Sequence, residues 1–281
     1  MDDQERLERN REAWDLRVGA HLGSEFYDLE GFKAGGSSLR SFEVEALGEV
    51  RGKRLLHLMC HFGLDTLSWA RMGAEVTGVD FSGEAVAAAR RLADEVGLPA
   101  RFVQADVYDV ADILEAESYD VVVATYGVLV WLPDLAEWAR VVARLLRPGG
   151  VLFVAEFHPM QSLVDGELRI STSYFRTGAA DRDVAASYTG QELPAHVQST
   201  WPWTVGGLVT ALAGAGLRIE RLDELPVDLR QRHPRMALGD DGLWRLPGDP
   251  IPLLLTCLAR SVGVGGLGGG VAEGGGGREQ R

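Results

Sequence analysis

Cysteine is almost missing from these 281 residues. Cys60 and Cys257 are the only two, too few for a disulfide framework or a four-thiolate zinc site, so neither is needed to explain the fold. Long apolar runs are missing too. No stretch approaches the roughly 18 uninterrupted apolar residues of a membrane helix, and the opening MDDQERLERNREAW is charged where a secretory leader is apolar, which leads to the expectation of a cytoplasmic chain without a membrane. Basic charge is in deficit, with Lys+Arg 28 against Asp+Glu 41 and a formal net charge of -13. Such a surface repels phosphate backbones and anionic lipid, which argues against a nucleic-acid substrate. With 46% hydrophobic and 25% charged residues, disorder is excluded as the dominant state.

Residues 1 to 20 have helical spacing, with Leu7, Trp14 and Val18 near one face. Residues 21 to 45 mix aromatics with Gly35, Gly36, Ser37 and Ser38, so residues 1–45 are expected to form a mobile N-terminal helical cap. From Arg54 a rhythm of short apolar run, turn and helical pattern repeats: RLLHLMC, DTLSWARMG, AEVTGVD, GEAVAAARRLADEVG, ARFVQAD, YDVVVATYG, DLAEWARVVARLL, the turn RPGG and VLFVAEF. Alternating strands and helices predict an α/β fold, a doubly wound, mostly parallel, seven-stranded Rossmann-like sheet, within a domain spanning residues 46–260. Residues 159–203 hold Tyr174, Phe175, Tyr188, Trp201 and Trp203 with little periodicity, as expected of an insertion after the fifth strand. The rhythm resumes with TVGGLVTALAGAG, LRIERLDEL, a Pro- and Arg-bearing loop and PLLLTCLAR, an ending that suggests an antiparallel hairpin at the sheet edge. Residues 261–281 carry glycine runs that cannot repay the entropy of ordering, and this tail is expected to be disordered.

In an open parallel sheet, ligands sit beyond the carboxyl ends of the strands, where strand order reverses. The first strand runs into His57-Leu58-Met59-Cys60-His61-Phe62-Gly63, the second ends in Asp80-Phe81, the third in Asp106-Val107 and the fourth in Tyr126-Gly127. Asp80 is placed to accept two ribose hydroxyls, and Asp106 can accept from an exocyclic amine. In order along the chain, HLMCHFG, GVDFS, QADVYD, SYDVVVATYG and LLRPGGVLFV resemble the class I S-adenosylmethionine-dependent methyltransferases, from about Lys53 to Pro159. The resemblance implies S-adenosylmethionine as cofactor. It places the methionine end at Met59, His61 and Gly63, the ribose at Asp80, the base beside Phe81 and at Asp106 with Val107, and Tyr126 at the fourth strand end. The family usually has an acid and three alternating glycines at the first loop, where this chain has His57, Met59, His61 and Gly63. Non-glycine residues resist positive φ, so the loop path is open. The same departure argues against a nicotinamide enzyme, whose pyrophosphate needs close backbone approach.

His158, after the fifth strand, is the candidate general base, with Glu156 two residues earlier to orient it or touch the acceptor; the alternative is that His158 only braces its loop. Tyr27, Trp131, His196 and Trp201 are candidate acceptor-side residues, with core packing as the alternative for the aromatics. His57, Cys60 and His61 have no matching second pair of ligands, so no metal is expected. Trp14, Arg17, His21 and Tyr27 are expected to close over the cofactor, with Arg17 meeting the methionine carboxylate. The resulting expectation is a small-molecule methyltransferase of bacterial natural-product or secondary metabolism, a monomer or homodimer. A nicotinamide oxidoreductase and a non-catalytic S-adenosylmethionine-binding module are the alternatives.

Overall fold

The computed structural model describes residues 1–263; the remainder of the glycine-rich tail lies outside the described residues. In chain order the elements are α1 (Asp3–Leu22), α2 (Leu29–Lys33), α3 (Ser41–Leu47), β1 (Arg54–Leu58), α4 (Leu64–Arg71), β2 (Glu75–Asp80), α5 (Gly83–Val96), β3 (Ala100–Gln104), α6 (Val110–Ile113), β4 (Tyr119–Thr125), α7 (Leu135–Leu145) and β5 (Leu146–Phe157). They continue with β6 (Ala180–Ala186), β7 (Glu192–Thr200), α8 (Val205–Gly214), β8 (Leu217–Leu225), β9 (Ala237–Leu238), β10 (Trp244–Arg245) and β11 (Leu254–Ser261).

Alternation along the strands explains the layering, because neighbouring residues of a strand face opposite sides of the sheet. Leu56, Leu58, Val122, Ala124, Leu152 and Val154 pack with Trp138, Val142 and Leu208 of α7 and α8. Leu55, Val121, Val123 and Phe153 face the other way, onto Leu47 of α3 and Trp69 of α4. Helices therefore cover both faces, as a parallel sheet with two apolar faces requires.

The sheet order is β3-β2-β1-β4-β5-β11-β8, with β1 parallel to both β2 and β4. Strand order reverses between β1 and β4, which opens a crevice at their carboxyl ends. The final two strands form the expected antiparallel pair at the sheet edge: β8 is the outermost strand, and β11 joins it to β5, antiparallel to both. The RPGG segment, by contrast, is no separate turn but an irregularity within β5, where the register with β4 shifts between Tyr119 and Val121. A Cβ at Gly150 would meet the carbonyls of Arg147 at 2.9 Å and Tyr119 at 3.0 Å.

The expected insertion supplies the antiparallel hairpin β6–β7, and the N-terminal helix docks on it. Asn10 donates to the Ser199 carbonyl and accepts the Ser199 amide, both at 2.8 Å, imitating a strand pairing from a helix. Arg9 binds Asp181 at 2.8 Å. The cap expected to be mobile is thus tied at its middle to the hairpin, and the two together roof the crevice. Among the described residues no helix is long and apolar enough to cross a membrane.

Candidate functional site

Two hollows lie at the strand ends. The larger, of about 1240 Å³, runs from the first loop under α1 to the hairpin and the loop after β8. The smaller, of about 20 Å³, lies among Leu7, Ala105, Asp106, Val107 and Tyr108. Met59, Asp80, Phe81 and Trp131 line both, so the hollows meet at Asp80.

Asp80 is buried at 7% exposure. Its Oδ2 accepts the His61 amide at 2.8 Å and its Oδ1 the Ser82 amide at 2.9 Å. A carboxylate has roughly four lone-pair positions, so acceptor capacity remains on each oxygen. Burial pushes its pKa up to about 6, against the pull of those amides. Asp106 Oδ1 accepts the Tyr108 amide at 3.0 Å, and burial raises its pKa too. The small hollow has room for about one water. Leu7 and Trp131 are among the side chains that line it, and a larger ring enters only if the lining shifts.

The first loop follows the left-handed path that glycine normally makes easy. Met59 has φ 57, His61 φ 50 and Gly63 φ 82. The two non-glycine residues hold a conformation costing about 1 kcal/mol or more each, and such strain persists where surroundings enforce it. Here the His61 amide is pinned by Asp80. Gly63 is required for a second reason: a Cβ there would lie 2.7 Å from the Phe102 ring.

His61 replaces a missing hydrogen with an imidazole, and its partners fix the tautomer. Gln191 Oε1 takes the Thr189 hydroxyl proton. Ser187 must then donate to Thr189, 2.9 Å away, so His21 Nε2 donates to Ser187 at 2.7 Å. His21 Nδ1 is left as an acceptor, and His61 Nε2 donates to it at 2.8 Å. The end of this row is His61 Nδ1, a lone pair buried with no hydrogen-bond partner. Burial holds both rings neutral, lowering the His21 pKa to about 3 and that of His61 well below the usual imidazole value.

The residues expected to act as acid, base or clamp are placed otherwise. His158 accepts the Met160 amide at Nδ1 (3.1 Å) and donates Nε2–H to Glu224 (2.8 Å), so neither ring nitrogen is available for an acceptor's proton. Burial lowers its pKa, the opposing pull of Glu224 notwithstanding. The bracing alternative describes it. Glu156 does not approach His158. It accepts the amides of Gly127 and Phe157 on Oε1 and those of Val128 and Leu129 on Oε2, a full complement that shapes the loop after β4. Arg17 lines the cavity, but its guanidinium binds the Ala13 carbonyl at 2.7 Å, Gln198 and His196 Nε2 at 3.0 Å, so it joins cap to hairpin. His196 has its other nitrogen on the Pro194 carbonyl at 2.7 Å and does not line the cavity. Tyr126 lines it while its hydroxyl is buried against Glu43. The hydroxyl and Glu43 Oε1 both lack a well-aligned partner, and burial pushes Glu43 up to about 8. His57 spends its nitrogens on Thr66 (2.9 Å) and Thr125 (3.1 Å).

Tyr27, Trp131 and Trp201 do line the large cavity. Trp14 lies with its ring centroid 5.4 Å from that of His61 and 5.3 Å from that of Trp131, closing α1 over the loop. Sequence reasoning missed Ser187, Tyr188, Arg230 and Arg232. The arginines at alternate positions of one loop were the available signal; the hairpin residues have none, because only the fold carries them to the first loop.

Residues 56–152 match a family described as a methyltransferase domain. A ubiquinone biosynthesis O-methyltransferase from Aeromonas salmonicida is 37% identical over 108 residues, covering 38% of this chain and 44% of that protein. The chain spans about half the length of the curated relatives it matches. An S-adenosylmethionine-dependent methyltransferase structure from Listeria monocytogenes superposes with a TM-score of 0.53 at 18% identity, covering 77% of this chain and 94% of that one. The [4+2]-cyclase SpnF superposes with 0.58 at 18% identity, over 91% and 96%. The strand order and these likenesses agree: residues 56–152 match a methyltransferase domain, and the chain has the fold of the S-adenosylmethionine-dependent methyltransferases.

Proposed function

We propose that the chain transfers a methyl group from S-adenosylmethionine to a small-molecule acceptor, in bacterial secondary metabolism. The observation that carries this reading is Asp80 at the junction of the two hollows, buried with lone pairs to spare. A ribose held there would direct a base toward the small hollow, whose lining would have to shift to admit it, and a chain into the large one. The donor set fits. Asp80 would accept the ribose hydroxyls, the second oxygen of Asp106 an exocyclic amine, and the bare His61 Nδ1 an N–H donor at the methionine end.

When bound, the cofactor supplies a methyl group on a sulfonium already activated for in-line displacement. The protein's part is alignment and exclusion of water. Trp14 and the Asn10 clamp hold α1 over the loop and keep solvent out. Because both nitrogens of His158 are engaged, an acceptor that reaches this site already ionised suits it better than one that needs a general base. The aromatic wall of Tyr27, Trp131, Tyr188 and Trp201 supports a flat or apolar acceptor body.

Calorimetry with S-adenosylhomocysteine tests the site, and a mass-spectrometric screen of small acceptors for a gain of one methyl group tests the activity. The second arm is needed because a cyclase shares the fold. Binding without any transferred methyl would turn the reading to a non-catalytic module; absence of binding would remove it.

A further inference from the structure

The wall of the large cavity has a charge character opposite to that of the chain. Its carboxylates are Asp28, Asp65, Asp80, Glu156 and Asp181, and each already accepts from the protein. Asp28 takes the Gly31 amide, Asp65 the hydroxyls of Ser38 and Thr125, and Asp181 the guanidinium of Arg9 and the Ser199 hydroxyl. Asp80 and Glu156 take backbone amides. Two arginines of the wall, Arg230 and Arg232, are matched only in part.

Arg230 and Arg232 stand at alternate positions on the loop after β8. Arg230 gives one nitrogen, Nη1, to the Tyr188 carbonyl at 2.9 Å and has its carbon 5.0 Å from the centre of the Tyr188 ring. Its Nε and Nη2 have no partner among the described residues. Arg232 gives Nε to Asp228 at 2.9 Å and lies 3.8 Å over the Phe157 ring; its two terminal nitrogens have no partner among the described residues. Asp228 is fully buried and also accepts Gln161 Nε2 at 2.7 Å and the Arg230 amide at 3.2 Å. Asp228 therefore pairs with the Arg232 guanidinium but meets Arg230 only at its backbone. Burial, followed by repulsion from Arg232, pulls the Arg230 pKa down to about 10, so the two cations are held together at a cost. Beside them the hydroxyls of Tyr188 and Tyr27 touch. One donates to the other, which leaves one phenolic proton to give.

Donors with no acceptor, clustered where like charges repel, need a ligand that brings acceptors and negative charge. Aromatic faces under both guanidiniums fix the planes of the forks, the geometry suited to a carboxylate or phosphate. We propose that Arg230 and Arg232, with the Tyr188–Tyr27 hydroxyl pair, form the anion site of the acceptor pocket, so that the acceptor is a small aromatic molecule bearing a carboxylate or a phosphate. This rests on the methyltransferase reading for the word acceptor only; the anion site stands on its own geometry. Arg17 is not part of it, since both of its terminal nitrogens are bound within the protein.

The same chemistry has a second source, the carboxylate at the methionine end of the cofactor, and one set of titrations separates the two. The full chain is titrated with 1-naphthoate and with its neutral isostere 1-naphthamide, each with and without saturating S-adenosylhomocysteine, and separately with S-adenosylhomocysteine alone. The acid should bind tighter than the amide by roughly tenfold or more, since charge-assisted hydrogen bonds are lost in the amide. Arg230→Gln should erase the preference and Arg230→Lys restore part of it, with S-adenosylhomocysteine affinity unchanged in both. Equal affinity for acid and amide in the wild-type chain overturns the proposal. So does an Arg230→Gln variant that keeps the preference, or one that loses S-adenosylhomocysteine instead, which assigns the arginines to the cofactor carboxylate. Failure to bind S-adenosylhomocysteine bears on the methyltransferase reading, while the contrast between acid and amide measured without it bears on the anion site.

Discussion

The carboxyl ends of β2 and β5 carry similar residues to the same crevice and use them in opposite ways. At β2, Asp80 accepts two backbone amides and keeps lone pairs facing both hollows. At β5, Glu156 accepts four amides and has nothing left. The histidines divide likewise. His61 ends its row of donors with a bare nitrogen, whereas His158 has an amide on one nitrogen and a carboxylate on the other. Location at a strand end and residue type therefore do not identify a working group. We propose unspent hydrogen-bonding capacity at the cavity as the mark instead, because a buried polar atom without a partner is costly unless a ligand supplies one.

Variants at the two ends should separate along that line. Glu156→Gln presents an amide nitrogen to backbone N–H donors, and urea unfolding should show a loss of about 3–5 kcal/mol; an inactive but fully stable variant would return Glu156 to the chemistry and break the comparison. Glu43 extends the series, since its Oε2 accepts one amide, at 2.7 Å from Arg40. Its folded pKa, about 8, lies above the unfolded value, so its contribution is fully present below about pH 4.5 and lost as pH rises through 8. Glu43→Gln should flatten the decline of wild-type melting temperature between pH 5 and 8, gaining ~2–4 kcal/mol at the upper end; unchanged pH dependence would mean that burial there is relieved by another route.

Asp80→Asn should weaken S-adenosylhomocysteine binding by roughly tenfold to a hundredfold in calorimetry while costing about 1 kcal/mol of stability. A ribose diol favours the ionised carboxylate, so wild-type affinity should fall as pH drops below about 6, and the Asn variant should lose that slope. His61→Gly removes both the strained φ and the bare nitrogen. Binding should weaken by about threefold to tenfold with stability held or raised; unaltered binding would show that the lone pair serves no ligand. The smallest effect is expected from His158→Gln, about 1 kcal/mol of stability with turnover within about twofold. A loss of turnover near a hundredfold would reinstate it as base.

Much of the β1–β5 half was legible in the sequence because its signals are local. Short continuous apolar runs between turns mark β1 through β4, Ser82 and Gly97 bound α5 where the pattern stops, and Asp80 and Asp106 stand where those runs end. The RPGG segment was read as a turn because proline and glycine interrupt the local pattern; the partner strand absorbs it as a register shift. The interior place of β11 was also out of reach, since strand neighbours across more than 90 residues leave no mark in a periodic run.

What the sequence by itself determined is the kind of sheet, the crevice between β1 and β4, and which residues stand at the strand ends, all consequences of backbone geometry and apolar spacing. Tertiary structure alone decided which of them are free to act. A hydrogen bond between His21 and His61, or between Glu156 and the loop after β4, depends on where distant segments meet in three dimensions. Only such pairings distinguish a carboxylate that holds a loop from one that can hold a ligand.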